Sequence, residues 1–209
     1  NKDKKLRFFK THNAMCKIDG NSFTDINNTL GAIYIVRDPR KIVSSLSNHY
    51  QISTKEAFEF MNTEKKAIIQ KIENRYLGFN ALFTWQFHVN SWTSCKKFPV
   101  LTIKYEELEN ETFSTFKKVF EFIKRISKMN ISFDKDKAKK TIKSCQFERM
   151  QNLESKNGFR EAMSNKKTNE KIKFFNLGNK NKYQDLLDKD LINLINLKYQ
   201  KQLKNFFYE

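Results

Sequence analysis

Two pairs of side chains in this chain have the types and the spacing to do chemistry. Lys10 and His12 stand either side of Thr11, and histidine is scarce, with three among 209 residues. A cation beside a titratable imidazole can take a proton and offset negative charge as it develops. Arg37 and Ser45 form the second pair, eight residues apart. A planar, permanently charged guanidinium beside a hydroxyl suits a phosphate.

Both pairs need a sheet edge to hold them. Ala32 to Val36 is apolar, β-branched and aromatic, which predicts a buried strand over 33–37. Asp38 can cap the helix that follows, and Pro39 fits its first position, where no backbone donor is needed. That helix carries Ile42, Val43 and Leu46 on an apolar face, with Ser44, Ser45 and Ser47 among them. Arg37 then leaves the C-terminal end of a strand, where open α/β sheets bind ligands. Lys5 to Lys10, KLRFFK, reads as a short strand over 6–10 that delivers Lys10 and His12 to a similar edge. Pro99 to Tyr105, PVLTIKY, predicts a third strand over 100–105, followed by the acidic pair Glu106 and Glu107. Residues 16–30 read as a loop with room for a short helix.

Helical periodicity fills much of the remainder. Ser53 and Glu56 form a capping box, opening an amphipathic helix expected to reach about Glu73. A second helix is expected over Phe79 to Cys95, with Trp85, His88 and Trp92 near one face. Further helices are expected over Thr112 to Arg125, from an Asp134 cap through Ile142, and over Asp188 to Phe206. Asn157 to Lys173 is polar and lysine-dense, a flexible loop in expectation.

Composition bounds the partners. The net charge of +17 favours an anionic ligand, although a solvated lysine surface explains much of it. No apolar run approaches a membrane span. Cys16, Cys95 and Cys145 lie far apart, with neither metal spacing nor a disulfide framework, which suits a reducing, cytoplasmic setting.

Arg37-x-Pro39 with Ser45 resembles the 3′-phosphate-binding segment of the sulfotransferases, which use 3′-phosphoadenosine-5′-phosphosulfate (PAPS). Lys10-Thr11-His12 is similar to the family's Lys-Thr-His motif, so the resemblance implies that His12 is the catalytic base and Lys10 its cationic companion. The family continues Leu-Pro where Asn13-Ala14 stands here. Tyr105-Glu106 resembles the family's Tyr-Glu-Asp, with the tyrosine reaching the adenine. Ser144 to Met150 resembles a Thr-Ser-Phe-x-x-Met segment that contacts the nucleotide. Phe147 and Met150 match, whereas Cys145 and Gln146 replace the hydroxyl residues. Phe175 and Gly178 match the family's Phe-x-Arg-Lys-Gly, but Asn176 and Leu177 stand where its Arg and Lys grip the 3′-phosphate. Lys180 or Lys182 is then expected to supply that charge. Trp85 and Trp92 read first as core. The resemblance places Trp92 and His88, with His49, at the acceptor pocket.

The family's Pro-Lys-x-Gly-Thr-Thr loop, which cradles the 5′-phosphosulfate, has no counterpart among the five glycines. The expectation is therefore an α/β chain forming one domain over 1–209, a P-loop nucleoside-kinase-like parallel sheet flanked by helices. It would be a bacterial-type sulfotransferase fragment lacking the first strand and loop. PAPS would be its co-substrate, with no metal. A small-molecule or carbohydrate acceptor is expected, with no specific nucleic acid. Two rivals stand beside this. A nucleotide or sugar kinase would need a Walker lysine and a magnesium carboxylate, and neither is visible. A basic polyanion-binding protein would show steep salt dependence and little nucleotide preference.

Overall fold

A computed structural model of the protein describes residues 5–72, 75–165 and 168–208. It is an α/β structure with short strands and many helices. In chain order the first elements are β1 (Lys17–Ile18), β2 (Asn21–Ser22), β3 (Ala32–Val36), α1 (Pro39–Tyr50) and α2 (Thr54–Asn62). β4 (Ala67–Ile72), β5 (Arg75–Ala81), α3 (Trp85–Thr93) and β6 (Val100–Lys104) follow. The remainder is helical: α4 (Tyr105–Asn110), α5 (Thr112–Ser127), α6 (Lys135–Ser144), α7 (Phe147–Asn157), α8 (Tyr183–Leu186), α9 (Lys189–Lys198) and α10 (Gln200–Asn205).

The chain falls into two compact units. The first comprises Asn1–Val36, Phe60–Ile103 and Lys117–Ser132; the second comprises Arg37–Glu59, Lys104–Phe116 and Phe133–Glu209. In the first, β3 and β6 pair side by side in a parallel sheet. Its core includes Val36, Ala81, Val89, Trp92, Ile103 and Phe122, all buried. Gly31 sets the entry to β3. A Cβ there would sit 2.9 Å from the Pro99 carbonyl oxygen and 2.8 Å from Ile126 Cδ1. That carbonyl accepts the Ala32 N–H at 3.0 Å, so the missing side chain lets the two strands register. The second unit is helical. Val43 of α1 and Ile195 and Tyr199 of α9 and its end are fully buried, and Phe58 meets Tyr199 edge-on at 6.0 Å.

The strand–helix junction forms as the sequence predicts. Asp38 caps α1, its carboxylate accepting the Arg40 N–H at 2.9 Å, and Pro39 is the first helical residue. The capping box also forms: Glu56 accepts the Ser53 N–H at 2.8 Å and Ser53 Oγ accepts the Glu56 N–H at 3.2 Å. Ser53 Oγ also donates to the Glu56 carboxylate at 2.7 Å, and this bond, with the one from the Ser53 N–H, holds the Glu56 carboxyl below the usual range. Asp134 caps α6 by accepting from Asp136 and Lys137.

Several expectations fail, each for a local reason. Residues 6–10 form no strand; Phe8 and Phe9 are 70% and 86% exposed, and KLRFFK has no alternation that would give it an inward face. β3 is not buried on both sides. Ile33 and Ile35 are exposed while Tyr34 and Val36 point the other way, the period of two written into the strand. The helix from Ser53 stops at Asn62, and the Ile-rich stretch beyond it becomes β4, antiparallel to β5. Isoleucine is stiff at χ1 and packs better on a pleated surface than its spacing suggested. The β4–β5 ladder shifts register between Gln70 and Lys71, opposite Gly78 at φ 136°. Phe79 accordingly belongs to β5, and α3 starts only at Trp85, capped by Thr84 Oγ1 accepting from Phe87. Residues 17–22 form a hairpin whose tight turn uses Asp19 at φ 49° and Gly20 at φ 80°. The closing helix is two helices, interrupted at Tyr199.

Candidate functional site

The anion-binding candidates assemble in the second unit. Arg37 Nη1 donates to Ser45 Oγ at 3.1 Å, and its guanidinium lies 4.4 Å from the centre of the Tyr105 ring. Arg37 Nε is buried and has no hydrogen-bond partner. A buried guanidinium N–H left unpaired is costly unless an acceptor arrives, and an anion is the acceptor such a fork is shaped for. Ser45 also receives Asn181 Nδ2 at 3.4 Å. Asn181 is buried, donating to the Lys41 carbonyl at 3.2 Å and accepting from Ser44 Oγ at 2.8 Å. Burial pushes the Tyr105 hydroxyl up, with Arg37 pulling it down. Glu109 is likewise raised by burial, opposed by Arg37 and Lys41.

Next to this junction is a second arginine of a different kind. Arg40 is buried and paired with Asp38, Nη2 to Oδ2 at 2.7 Å and Nε to Oδ1 at 2.9 Å. Its guanidinium lies over the Tyr183 ring at 4.3 Å. Arg40 therefore fixes the start of α1, whereas Arg37 keeps a donor unused.

The aromatic candidates form a cluster in the same unit. Phe147 meets Phe175 edge-on at 6.0 Å, and its ring covers Gly178, where a Cβ would lie 2.9 Å from ring carbons. The segment before Gly178 is held by α7. Glu154 accepts the Phe174 and Phe175 N–H groups at 2.7 and 2.9 Å, and Gln151 Nε2 donates to the carbonyls of Phe175 and Asn176. Asn176 and Leu177 line a cavity of about 410 Å³ with Ser44, Ser47 and Asn48. His49 packs edge-on to Phe174 at 5.9 Å, and burial lowers its pKa. Met150 is half-buried, whereas Cys145, Lys180 and Lys182 are exposed.

The acid–base candidates lie in the first unit. Lys10 and His12 are exposed on irregular chain. Thr11 Oγ1 accepts the Asn13 N–H at 3.0 Å, closing a turn with His12 at its tip. Asn13 anchors that turn: its Oδ1 accepts the Ala81 N–H at 2.7 Å, and its carbonyl accepts Trp92 Nε1 at 2.9 Å. Ala14, fully buried, donates to the Ala81 carbonyl at 2.8 Å. His88 Nε2 lies 3.2 Å from the His12 carbonyl oxygen, and Tyr34 Oη lies 3.0 Å from His88 Nδ1. His88 and Trp92 come together here as their spacing on α3 implies, while His49 belongs to the other unit.

Sequence reasoning missed Asn181, Gln151, Glu154, Asn13, Tyr34 and Glu109. Tyr34 carried a signal, as a polar-tipped aromatic on one face of an otherwise aliphatic strand. The amides and Glu154 carried none, because their partners, most of them backbone groups, lie far away in sequence. Among the described residues no cluster of three His, Cys, Asp or Glu could hold a metal ion, and no helix is long and apolar enough to cross a membrane.

Fold and site together define an α/β protein with a buried, unpaired arginine donor just after its β3 strand. The chain belongs to the sulfotransferase domain family, whose model matches residues 1–207. It is 24% identical over 189 residues to the luciferin sulfotransferase of Photinus pyralis, covering 89% of this chain and 47% of that protein. The crystal structure of mouse sulfotransferase SULT7A1 complexed with PAP shares its fold at a TM-score of 0.54 and 18% identity, covering 83% of this chain and 58% of the mouse chain. The chain thus spans about half the length of the curated relative it matches.

Proposed function

We propose that this chain carries the 3′-phosphate site and the acid–base pair of a PAPS-dependent sulfotransferase, within a single sulfotransferase domain of P-loop nucleoside-kinase-like fold acting in the cytoplasm. The observation that carries the reading is Arg37: fixed on Ser45 and Tyr105, with Nε buried and unpaired. Membership of the sulfotransferase family supports it, as does the PAP bound by the mouse relative. When bound, the donor supplies an activated sulfuryl group and leaves as adenosine 3′,5′-bisphosphate.

Arg37 and Ser45 hold the 3′-phosphate. Tyr105, Phe147, Met150 and Phe175 offer ring and thioether surface to the adenine, and Cys145 and Gly178 contact the nucleotide. Lys180 or Lys182 adds positive charge where Asn176 and Leu177 supply none. His12 takes the acceptor's proton, and Lys10 offsets negative charge on the leaving side. His88, Trp92 and His49 contribute to the acceptor side. The acceptor is a hydroxyl or amine of a small molecule or carbohydrate, in line with the small-molecule name of the firefly relative.

Calorimetric titration with adenosine 3′,5′-bisphosphate and with AMP, in moderate salt, tests the reading. Selective binding of the bisphosphate, lost in Arg37→Ala, is expected. Equal binding of both nucleotides, or binding insensitive to Arg37→Ala in a folded variant, would overturn it. Alanine at both Lys180 and Lys182 should weaken the bisphosphate alone; unchanged affinity removes them from the site.

A further inference from the structure

We infer that His88 is a positioning residue for His12, acting through the His12 backbone carbonyl in one fixed tautomer set by Tyr34. The inference rests on the reading of His12 as the base. A carbonyl oxygen only accepts, so the 3.2 Å contact requires the proton on His88 Nε2. In the neutral ring Nδ1 is then an acceptor, and Tyr34 donates to it at 3.0 Å. Burial, the largest influence on His88, favours this neutral form, and the neighbouring His12 acts in the same direction; the bond to the His12 carbonyl opposes them.

The relay is held at both ends. Tyr34 comes from β3, and its ring stacks on Trp92 at 6.1 Å and 17°. Trp92, one turn beyond His88 on α3, donates to the next carbonyl, that of Asn13. Two consecutive carbonyls of the turn bearing His12 are therefore gripped by two residues four apart on one helix. A side chain that merely lined a substrate pocket would have no need of its Nε2–H on the backbone of the base. His88 therefore contributes to the acceptor side by setting where the His12 imidazole starts from.

Long-range 1H–15N spectra of the 15N-histidine-labelled chain at neutral pH test this directly. His88 is expected as the neutral Nε2–H tautomer, with its Nδ1 resonance moved by Tyr34→Phe. The Asn13 amide, bonded to the His12 carbonyl carbon, should shift in His88→Leu and return towards its original position in His88→Gln, which keeps an N–H donor. An Nδ1–H tautomer, or an Asn13 amide alike in the parent, Leu and Gln chains, would overturn the inference. Should His88→Leu not fold, the tautomer and the Tyr34→Phe response still decide it. In a sulfuryl-transfer assay with PAPS, His88→Leu should lose about tenfold or more in kcat with donor KM unchanged, and His88→Gln should recover most of it. The spectra need no turnover, so equal binding of the bisphosphate and AMP together with the expected tautomer refutes the proposed function and supports the hydrogen-bond relay.

Discussion

Arg37 and Arg40, three residues apart, divide the labour of the strand–helix junction by what each has already spent its donors on. Arg40 is committed to Asp38 and Asn196, so Arg40→Ala strands a buried carboxylate and should cost about 3–5 kcal/mol of stability in chemical denaturation. Arg37 retains an unpaired Nε, so its loss should be felt in ligand affinity first. His88 gives a pH signature. Its folded pKa lies below the ordinary imidazole value of about 6.5, so the unfolded chain takes up a proton first as pH falls. The stability it contributes is complete above that value and is lost as pH drops towards the folded pKa. Denaturation midpoints measured from pH 8 to 5 should decline less steeply in His88→Gln than in the parent chain. At this scale the sequence was legible where a residue acts by its own type: Arg37 and Ser45 meet as their spacing allowed. It was opaque where a residue acts on distant backbone, as Glu154, Asn13 and Asn181 do.

Elements formed where capping chemistry and hydrophobic period agreed. Asp38-Pro39, Ser53-x-x-Glu56 and Asp134 all begin helices as written, and β3 and β6 fall within a residue of expectation. They failed where the two signals separated. Ile68, Ile69 and Ile72 kept helical spacing, yet their β-branched shape joins a hairpin. KLRFFK has strand-like composition without a face to bury. A close approach is a stricter element-scale test than composition. Gly31→Ala places a methyl against the Pro99 carbonyl oxygen, which is backbone and cannot turn aside. A loss of about 1–3 kcal/mol is expected from overpacking, read as a lower midpoint in urea. An unchanged midpoint would mean that the β3 entry has slack.

Across the whole molecule, the acid–base candidates and the nucleotide candidates belong to different compact units. His12→Ala should leave adenosine 3′,5′-bisphosphate affinity unchanged in calorimetry while abolishing turnover, because the 3′-phosphate contacts proposed are Arg37 and Ser45; weakened nucleotide binding would make His12 a nucleotide contact. The net charge of +17 attracts every anion, and salt screens that attraction. Overall affinity for nucleotides should fall as salt rises. The preference for a 3′-phosphate over AMP should persist if Arg37 and Ser45 hold it as proposed, because both are half-buried, unlike the exposed lysine surface. A preference that vanished with salt would return the chain to the polyanion-binding class. Composition made the field legible, but it could not separate a diffuse field from a fixed site.

The contact between Phe147 and Gly178 also constrains the order in which this chain can change. With the ring in place, any side chain at 178 collides with it, and φ 55° strains the backbone besides. With the ring removed first, as in Phe147→Ala, the three nearest atoms that the substitution would meet are gone. Gly178→Ala should therefore cost less in that background than in the parent, a non-additive pair measurable in a double-mutant cycle. Relatives bearing a side chain at 178 should therefore bear a smaller residue opposite it, at position 147.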